Sequence, residues 1–285
     1  MSEIQTPIIV NAPQLSREWF EARIGNVTGS KVSRTMDYKN PTITQMKMAD
    51  EYYLLNNTVY TAEWRERMQE YPWEYCLRAG VELLPNGTRE TYKRQTVGER
   101  ISKTSADEGM FVSKAMQWGQ MQERFAKAQY KGITGNRLED APLMLHPQLL
   151  CGASPDGLVI DVQTGELGNL EAKCLEPWNH LYKIIKADAM PDEFIPQVQM
   201  QMWINGRDWC DFVGYDPRVQ EGLRVFIKRV ERDNFYIDEV LVPNIVRFLD
   251  ECDADERQFY AIMKDRIAKA RSKFALLLDQ GLVTV

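Results

Sequence analysis

Only two histidines, His146 and His180, occur in 285 residues. So low a count argues against a multi-histidine metal centre and against a triad that needs a histidine base. Cysteines are few and scattered: Cys76, Cys151, Cys174, Cys210 and Cys252 contain no Cys-x-x-Cys pair. An odd, dispersed set is expected to stay reduced, and offers no disulfide frame, zinc knuckle or iron–sulfur spacing. No apolar run approaches the roughly 18 residues of a membrane helix. Met1 to Pro13 lacks a basic region followed by an apolar one, so no leader is expected and a cytoplasmic location is. An excess of basic charge is also missing: 35 Lys and Arg stand against 41 Asp and Glu, a formal charge of −6. That balance excludes a general DNA-coating protein, but not an enzyme with a local basic track.

What remains is ordinary globular material, 44% hydrophobic and 27% charged, which suffices to bury a core. No internal repeat or low-complexity linker divides it, so a single domain spanning 1–285 is expected. Helices are predicted over Leu15–Ile24, ended by Gly25-Asn26, then from Thr28 through Ser33, over Thr44–Trp64, Lys114–Tyr130 and Phe194–Ile204. Pro85-Asn86-Gly87 is a turn signal that would close a small hairpin. Strands are predicted at Leu158–Val162, Asn169–Cys174, Asp211–Tyr215 and Leu223–Val230. A long helix follows from Val242, with Pro243 in its first turn. Phe259, Met263, Ile267, Ala270, Phe274 and Leu277 recur on one face of it, a stripe for packing on its own domain or for oligomer contacts.

Chemistry concentrates in one hairpin. Glu171 and Lys173 are two apart on a strand and share a face, while Leu170, Ala172 and Cys174 take the other. A turn on Thr164-Gly165 pairs residues summing to 329, which sets Asp156 across from Lys173 and diagonal to Glu171. Two carboxylates with water and phosphate oxygens suit Mg²⁺, or Mn²⁺, since both prefer oxygen ligands. The cation polarises a phosphodiester, and a neighbouring lysine orients water or offsets charge in the transition state. The reaction class is metal-assisted phosphodiester hydrolysis. Each short piece is commonplace alone, because Asp-Gly is a common turn and Glu-x-Lys a common solvated face.

The joint pattern is less common. Ser154-Pro155-Asp156-Gly157-Leu158, a strand, a turn and then Glu171-Ala172-Lys173-Cys174 resembles the PD-(D/E)xK nuclease core, and within it the λ-exonuclease/YqaJ recombinase family. Trp19 to Ser30 is similar to that family's N-terminal motif, Trp118-Gly119 with Glu123 to its central helix, and Gln197-Val198-Gln199 with Met202-Trp203 to its post-core helix. Tyr215-Asp216-Pro217-Arg218, Glu221-Gly222-Leu223 and Glu231-Arg232-Asp233 look like the phage λ exonuclease branch.

The resemblance implies an α/β fold: a restriction-endonuclease-like core with a central mixed sheet flanked by helices and a long C-terminal helix. It implies that Asp156, Glu171 and the Ala172 carbonyl hold two Mg²⁺ ions and that Lys173 positions or activates water. Glu123 and Gln197 would support the metal and the nucleophile or scissile phosphate, and Arg23, Ser30 and Ser154 would bind a terminal 5′-phosphate. The implied activity is 5′→3′ digestion of linear double-stranded DNA to leave 3′ single-stranded tails for phage-type recombination. A homotrimer, a single-strand-annealing partner protein and a phage or mobile-element origin in a bacterial host belong to the same implication. A restriction-like or nicking endonuclease of the same core, and a catalytically silent DNA-binding protein, are the alternatives.

Charge along the chain agrees with an N-terminal DNA contact. Arg23, Lys31, Arg34, Lys39 and Lys47 face only Asp37 between residues 23 and 47, whereas Asp250, Glu251, Asp253, Asp255 and Glu256 gather near residue 250. Two stretches exceed the family pattern: an insertion at about 38–112 and a C-terminal helical extension at about 242–281. The insertion interleaves arginines with Tyr71, Trp73, Tyr75 and Tyr92, which suits either stacking on unpaired bases or an ordinary small core.

Overall fold

The computed structural model describes residues 6–107 and 114–279. The chain begins with β1 (Ile8–Val10), α1 (Arg17–Arg23) and β2 (Val27–Thr28). Helix α1 starts after Leu15, which lies at φ 67°, because the Ser16 Oγ accepts the Trp19 N–H at 3.2 Å and caps the first turn. The helix expected from Thr28 is a 3-10 helix over Gly29–Met36, with Thr28 itself in the strand. The break expected at Gly25 is there, at φ +68°. A Cβ on Gly25 would stand 2.4 Å from Arg100 Cγ, so both conformation and space call for glycine.

Four helices follow: α2 (Ile43–Leu55), α3 (Ala62–Met68), α4 (Pro72–Arg78) and α5 (Gly87–Ser102). The single helix expected over Thr44–Trp64 is two, since the chain leaves α2 after Leu55 and Thr61 caps α3 by accepting the Trp64 N–H at 3.2 Å. Pro85-Asn86-Gly87 closes no hairpin. Asn86 precedes the first turn of α5, and its Nδ2 bonds Asp37 Oδ1 at 2.8 Å and the Tyr38 carbonyl at 3.1 Å. Residues 108–112 of the expected insertion lie outside the described residues.

The remaining strands and α-helices are α6 (Lys114–Thr134), β3 (Arg137–Glu139), β4 (Leu143–Leu145), β5 (Cys151–Ala153), β6 (Gly157–Ile160), β7 (Leu167–Lys173), α7 (Pro177–Asn179), α8 (Ile195–Asn205), β8 (Trp209–Tyr215), β9 (Val225–Glu231), α9 (Asn234–Tyr236) and α10 (Val242–Asp279). Residues 280 and 281 of the expected extension lie outside the described residues. Among the described residues, strands assemble in the orders β1-β4-β5-β2 and β3-β6-β7-β8-β9. The second sheet is mixed: β7 and β8 run parallel, and its other neighbours pair antiparallel. The fold is the mixed α/β arrangement expected, sheets flanked by helices with a long helix at the C-terminal side.

Strand alternation divides the second sheet between two helices. Leu170 and Ala172 of β7 pack with Trp209 and Val213 of β8 against Ala126 and Tyr130 of α6. Cys210 and Phe212 pack with Val198 and Met202 of α8. Glu171 and Lys173 therefore face α8, two positions apart as the strand period requires.

Most of the described aromatics of the 38–112 segment are core, not a surface platform, although Tyr52 is exposed. Tyr53, Tyr75 and Tyr92 are buried in one cluster with Val27, Val32, Met200, Ile245 and Phe248, which ties α2, α4 and α5 to α8 and α10. Four of its arginines, Arg65, Arg78, Arg89 and Arg100, are spent internally as well, while Arg67 and Arg94 are exposed. Arg65 and Arg78 donate to the Tyr60 and Glu239 carbonyls at 3.1 and 2.7 Å. Arg89, 1% exposed, gives Glu251 two bonds of 2.7 and 2.8 Å. With Arg100–Asp253 at 2.6 Å and Lys93–Asp255 at 3.6 Å, α5 neutralises much of the acidic stretch near residue 250.

The far half of α10 behaves otherwise. Phe259, Met263, Ile267 and Phe274 are between 44% and 54% exposed, so the described residues leave the apolar stripe about half uncovered.

Candidate active site

The β6–β7 hairpin pairs Gly157 with Leu170 and Ile160 with Leu167, so paired residues sum to 327. The register deduced from a turn on Thr164-Gly165 is therefore wrong by two residues. Asp161 closes the turn: its carbonyl accepts the Gly165 N–H at 2.8 Å and its Oδ1 the Gln163 N–H at 2.9 Å, which centres the reversal earlier. Continued by one step, this ladder sets Asp156 opposite Glu171 instead of Lys173. Because the shift is even, no side chain changes face, and the grouping of Asp156, Glu171 and Lys173 survives the error.

The two acids are held differently. The Asp156 N–H donates to the Leu170 carbonyl at 3.0 Å, and its Oδ2 accepts the Ala172 N–H at 2.7 Å. Glu171 is 1% exposed. Its Oε1 accepts Lys173 Nζ at 2.5 Å and Gln197 Nε2 at 2.6 Å, and its Oε2 accepts Gln201 Nε2 at 2.6 Å. Lys173 Nζ also donates to Gln197 Oε1 at 3.3 Å and stands 5.0 Å from the centre of the Phe194 ring.

A cavity of about 190 Å³ opens beside this group. Its walls include Asp156, Glu171, Lys173 and Gln197 on one side and Trp19, Arg23, Ser30 and Ser154 on the other. Residues more than 100 positions apart thus meet in one chamber. The Arg23 guanidinium lies 3.9 Å from the centre of the Trp19 ring, one helical turn back on α1, an arrangement that fixes its direction. Below it, the Gly25 N–H donates to Glu99 Oε2 at 2.9 Å and the Gly25 carbonyl accepts Arg100 Nε at 3.1 Å, so α5 anchors the end of α1.

Glu123 stands outside the cavity wall, in an ion pair with Lys127 at 2.6 Å on the same helix. Its charge still reaches the hairpin. Burial first, then the charges of Glu171 and Glu123, push the Asp156 carboxyl well above the usual carboxylate range. Burial works against the Lys173 ammonium, but Glu171, Asp156 and Glu123 together outweigh it and hold that group above the ordinary lysine value. The Lys173 ammonium lowers the Asp156 carboxyl without outweighing burial and the two acids, and a divalent cation would add to that positive charge. Among the described residues no three His, Cys, Asp or Glu side chains gather closely enough to hold an ion alone. The donor set still fits Mg²⁺, which is commonly bound by one or two carboxylates and completed by water and substrate phosphate.

Neither histidine belongs to this chamber. His146 stacks on Trp203 at 4.8 Å between ring centres, and His180 is buried against the Leu223 carbonyl, 2.7 Å from its Nε2.

Comparison with known proteins bears on the reading. The YqaJ-like viral recombinase domain matches residues 18–208, about two thirds of the chain, and that span takes in both walls of the cavity. This chain belongs to the YqaJ-like viral recombinase family. LHK-Exo, an alkaline exonuclease from Laribacter hongkongensis solved in complex with dAMP, is 30% identical, with a TM-score of 0.64 over 90% of this chain and all of that one. A phage-related exonuclease from Haemophilus somnus 129PT, 15% identical with a TM-score of 0.52 over 84% of this chain and 96% of its own, shares the fold. The uncharacterized protein ExoD of Escherichia coli (strain K12) is 37% identical over 70 residues, 24% of this chain and 79% of that protein. The fold of this YqaJ-like member is thus of the PD-(D/E)xK type. Among its described residues no helix is long and apolar enough to cross a membrane.

Two contributors went unnoticed in the sequence. Gln201 is four residues beyond Gln197 on the same face of α8, and that helical spacing was the available signal. Asp107 bonds Lys31 Nζ at 2.6 Å and stands 4.0 Å from Arg23, across 76 and 84 positions of sequence. Nothing local announces such a contact.

Proposed function

We propose that this protein is a metal-dependent exonuclease that digests linear double-stranded DNA from 5′ ends, leaving 3′ single-stranded tails for recombination. The observation that carries the proposal is the single cavity in which Asp156, Glu171, Lys173 and Gln197 face Arg23, Ser30 and Ser154. Membership of a recombinase family and likeness to exonucleases support a nuclease.

The residues divide the work by their chemistry. Asp156 and Glu171, with the Ala172 carbonyl, would hold Mg²⁺ or Mn²⁺, two ions in this proposal. When bound, such ions lower the pKa of coordinated water and offset charge on the phosphate under attack. Lys173 is an ammonium with three donors on one nitrogen. From the C-terminal end of β7 it would hold the attacking water and face the charge that develops on phosphate. Gln197 presents an amide beside it to orient the same water or a phosphate oxygen, and Glu123 would support the metal from α6 through its charge. Arg23 offers a planar, permanently charged fork to the terminal 5′-phosphate, with the Ser30 and Ser154 hydroxyls as further donors.

Further parts of the proposal are one nuclease domain over the chain, a homo-oligomer (a trimer by resemblance), a single-strand-annealing partner, and a phage or mobile-element gene acting in bacterial cytoplasm. The exposed α10 stripe supports self-association. Incubating linear and closed circular duplex with Mg²⁺ or EDTA tests the activity. Loss of linear DNA only with Mg²⁺, circles intact, is expected; equal recovery of linear DNA in both tubes rejects it.

A further inference from the structure

Helix α8 carries a polar row through apolar surroundings. Gln197, Gln201 and Asn205 lie one turn apart, while Val198, Met200 and Met202 are buried among hydrophobic side chains. Each member of the row meets a polar residue of β7. Gln197 meets Lys173 and Glu171, Gln201 meets Glu171, and Asn205 Nδ2 donates to Asn169 Oδ1 at 2.7 Å.

Gln201 is 1% exposed, and among the described residues its own carbonyl oxygen has no hydrogen-bond partner. Burying an amide with half of it unsatisfied costs free energy that a methionine or leucine would avoid. The compensation is one charge-assisted bond, Nε2 to Glu171 Oε2 at 2.6 Å. The opposite oxygen, Oε1, is shared by Lys173 and Gln197, and all three donors stand on the cavity wall. One oxygen of the carboxylate is therefore held by Gln201 alone, and the other by two donors that a cation, water and phosphate would redistribute.

Resting on the metal-dependent reading above, we infer that Gln201 is a positioning residue: it fixes the Glu171 carboxylate plane so that Oε1 addresses the divalent cation. Partners of this kind in metal sites change affinity or activity by about 10–100-fold when removed.

The test is calorimetric titration of the folded, DNA-free full chain with Mn²⁺, using Gln201→Met, which keeps the volume and removes the donor. Expected are Mn²⁺ binding weakened by about 10–100-fold, a lowered kcat at limiting Mg²⁺ that recovers in part at high Mg²⁺, and an unchanged KM for DNA. A folded Gln201→Met protein that binds Mn²⁺ like the wild type overturns the inference. Should Gln201→Met not fold, Gln201→Asn, which keeps the amide but withdraws it from Glu171, carries the same readout. Asp156→Asn separates the two claims. If it too binds Mn²⁺ normally, the metal-site reading fails; if it alone loses binding, only the role of Gln201 fails.

Discussion

Asp156 accepts the Ala172 N–H at 2.7 Å, so the first acid of the hairpin is fastened to the strand that carries the second. The fastening brings Asp156 close to Glu171 in a buried place, and the metal-free protein holds that charge at a cost in stability.

That cost has a sign. The Asp156 carboxyl is raised above its unfolded value of about 3.9, so the folded state keeps a proton that the unfolded chain releases. Its contribution is full below about pH 4 and is lost as pH rises through the folded value. In EDTA, Asp156→Asn should have the higher Tm at pH 8, with the difference shrinking toward pH 4. Parallel Tm profiles for the two proteins would contradict this.

Lys173→Ala should lower the single-turnover cleavage rate by about 10²–10⁴-fold, the range for a group that handles protons or charge at the reacting centre. Its KM for DNA should change little, since the residues proposed to bind the 5′-phosphate are on the other wall. An unchanged rate would remove Lys173 from the chemistry.

The Asp107 carboxylate occupies the neighbourhood of Arg23 and Lys31 where a phosphate would compete with it. Arg23→Ala should reduce the preference for 5′-phosphoryl over 5′-hydroxyl ends by about 10–100-fold, the worth of one charged hydrogen-bonded contact. Asp107→Asn should increase that preference. Paired digestions of the two substrates measure both effects, and indifference to the 5′ group in the wild type would refute them.

Arg89 does not line the chamber, and its bidentate pair with Glu251 joins α5 to α10. Replacing it with Met leaves Glu251 without its partner and should destabilise the chain by about 3 kcal/mol, the low end for breaking a buried pair because Glu251 is part-exposed. Denaturant unfolding measures this, with cleavage by the folded protein retained.

The hairpin was legible because a period of two keeps Glu171 and Lys173 on one face whatever the turn does. Even an error of two in register left Asp156 beside them. The helices were legible where position-specific residues and periodicity agree, as with Gly25 after α1 and Pro243 in the first turn of α10. Pro85-Asn86-Gly87 misled because the same residues that close a hairpin also begin a helix, and only the contacts of Asn86 with Asp37 and Tyr38 choose between them. Arg89 and Tyr92 read as a possible stacking surface, but long-range packing on Phe248 and Glu251 buries them. Gln201 had a visible spacing and no visible partner, since its meaning depends on which face of α8 meets β7.

The most direct single measurement follows a linear duplex labelled at its 3′ ends, carrying 5′-phosphoryl or 5′-hydroxyl termini, with Mg²⁺ or EDTA. Release of 5′ nucleotides with the 3′ label left on a long single strand, only in Mg²⁺ and faster from phosphoryl ends, is expected. Early loss of the 3′ label, or equal digestion in EDTA, would contradict a metal-dependent 5′→3′ exonuclease.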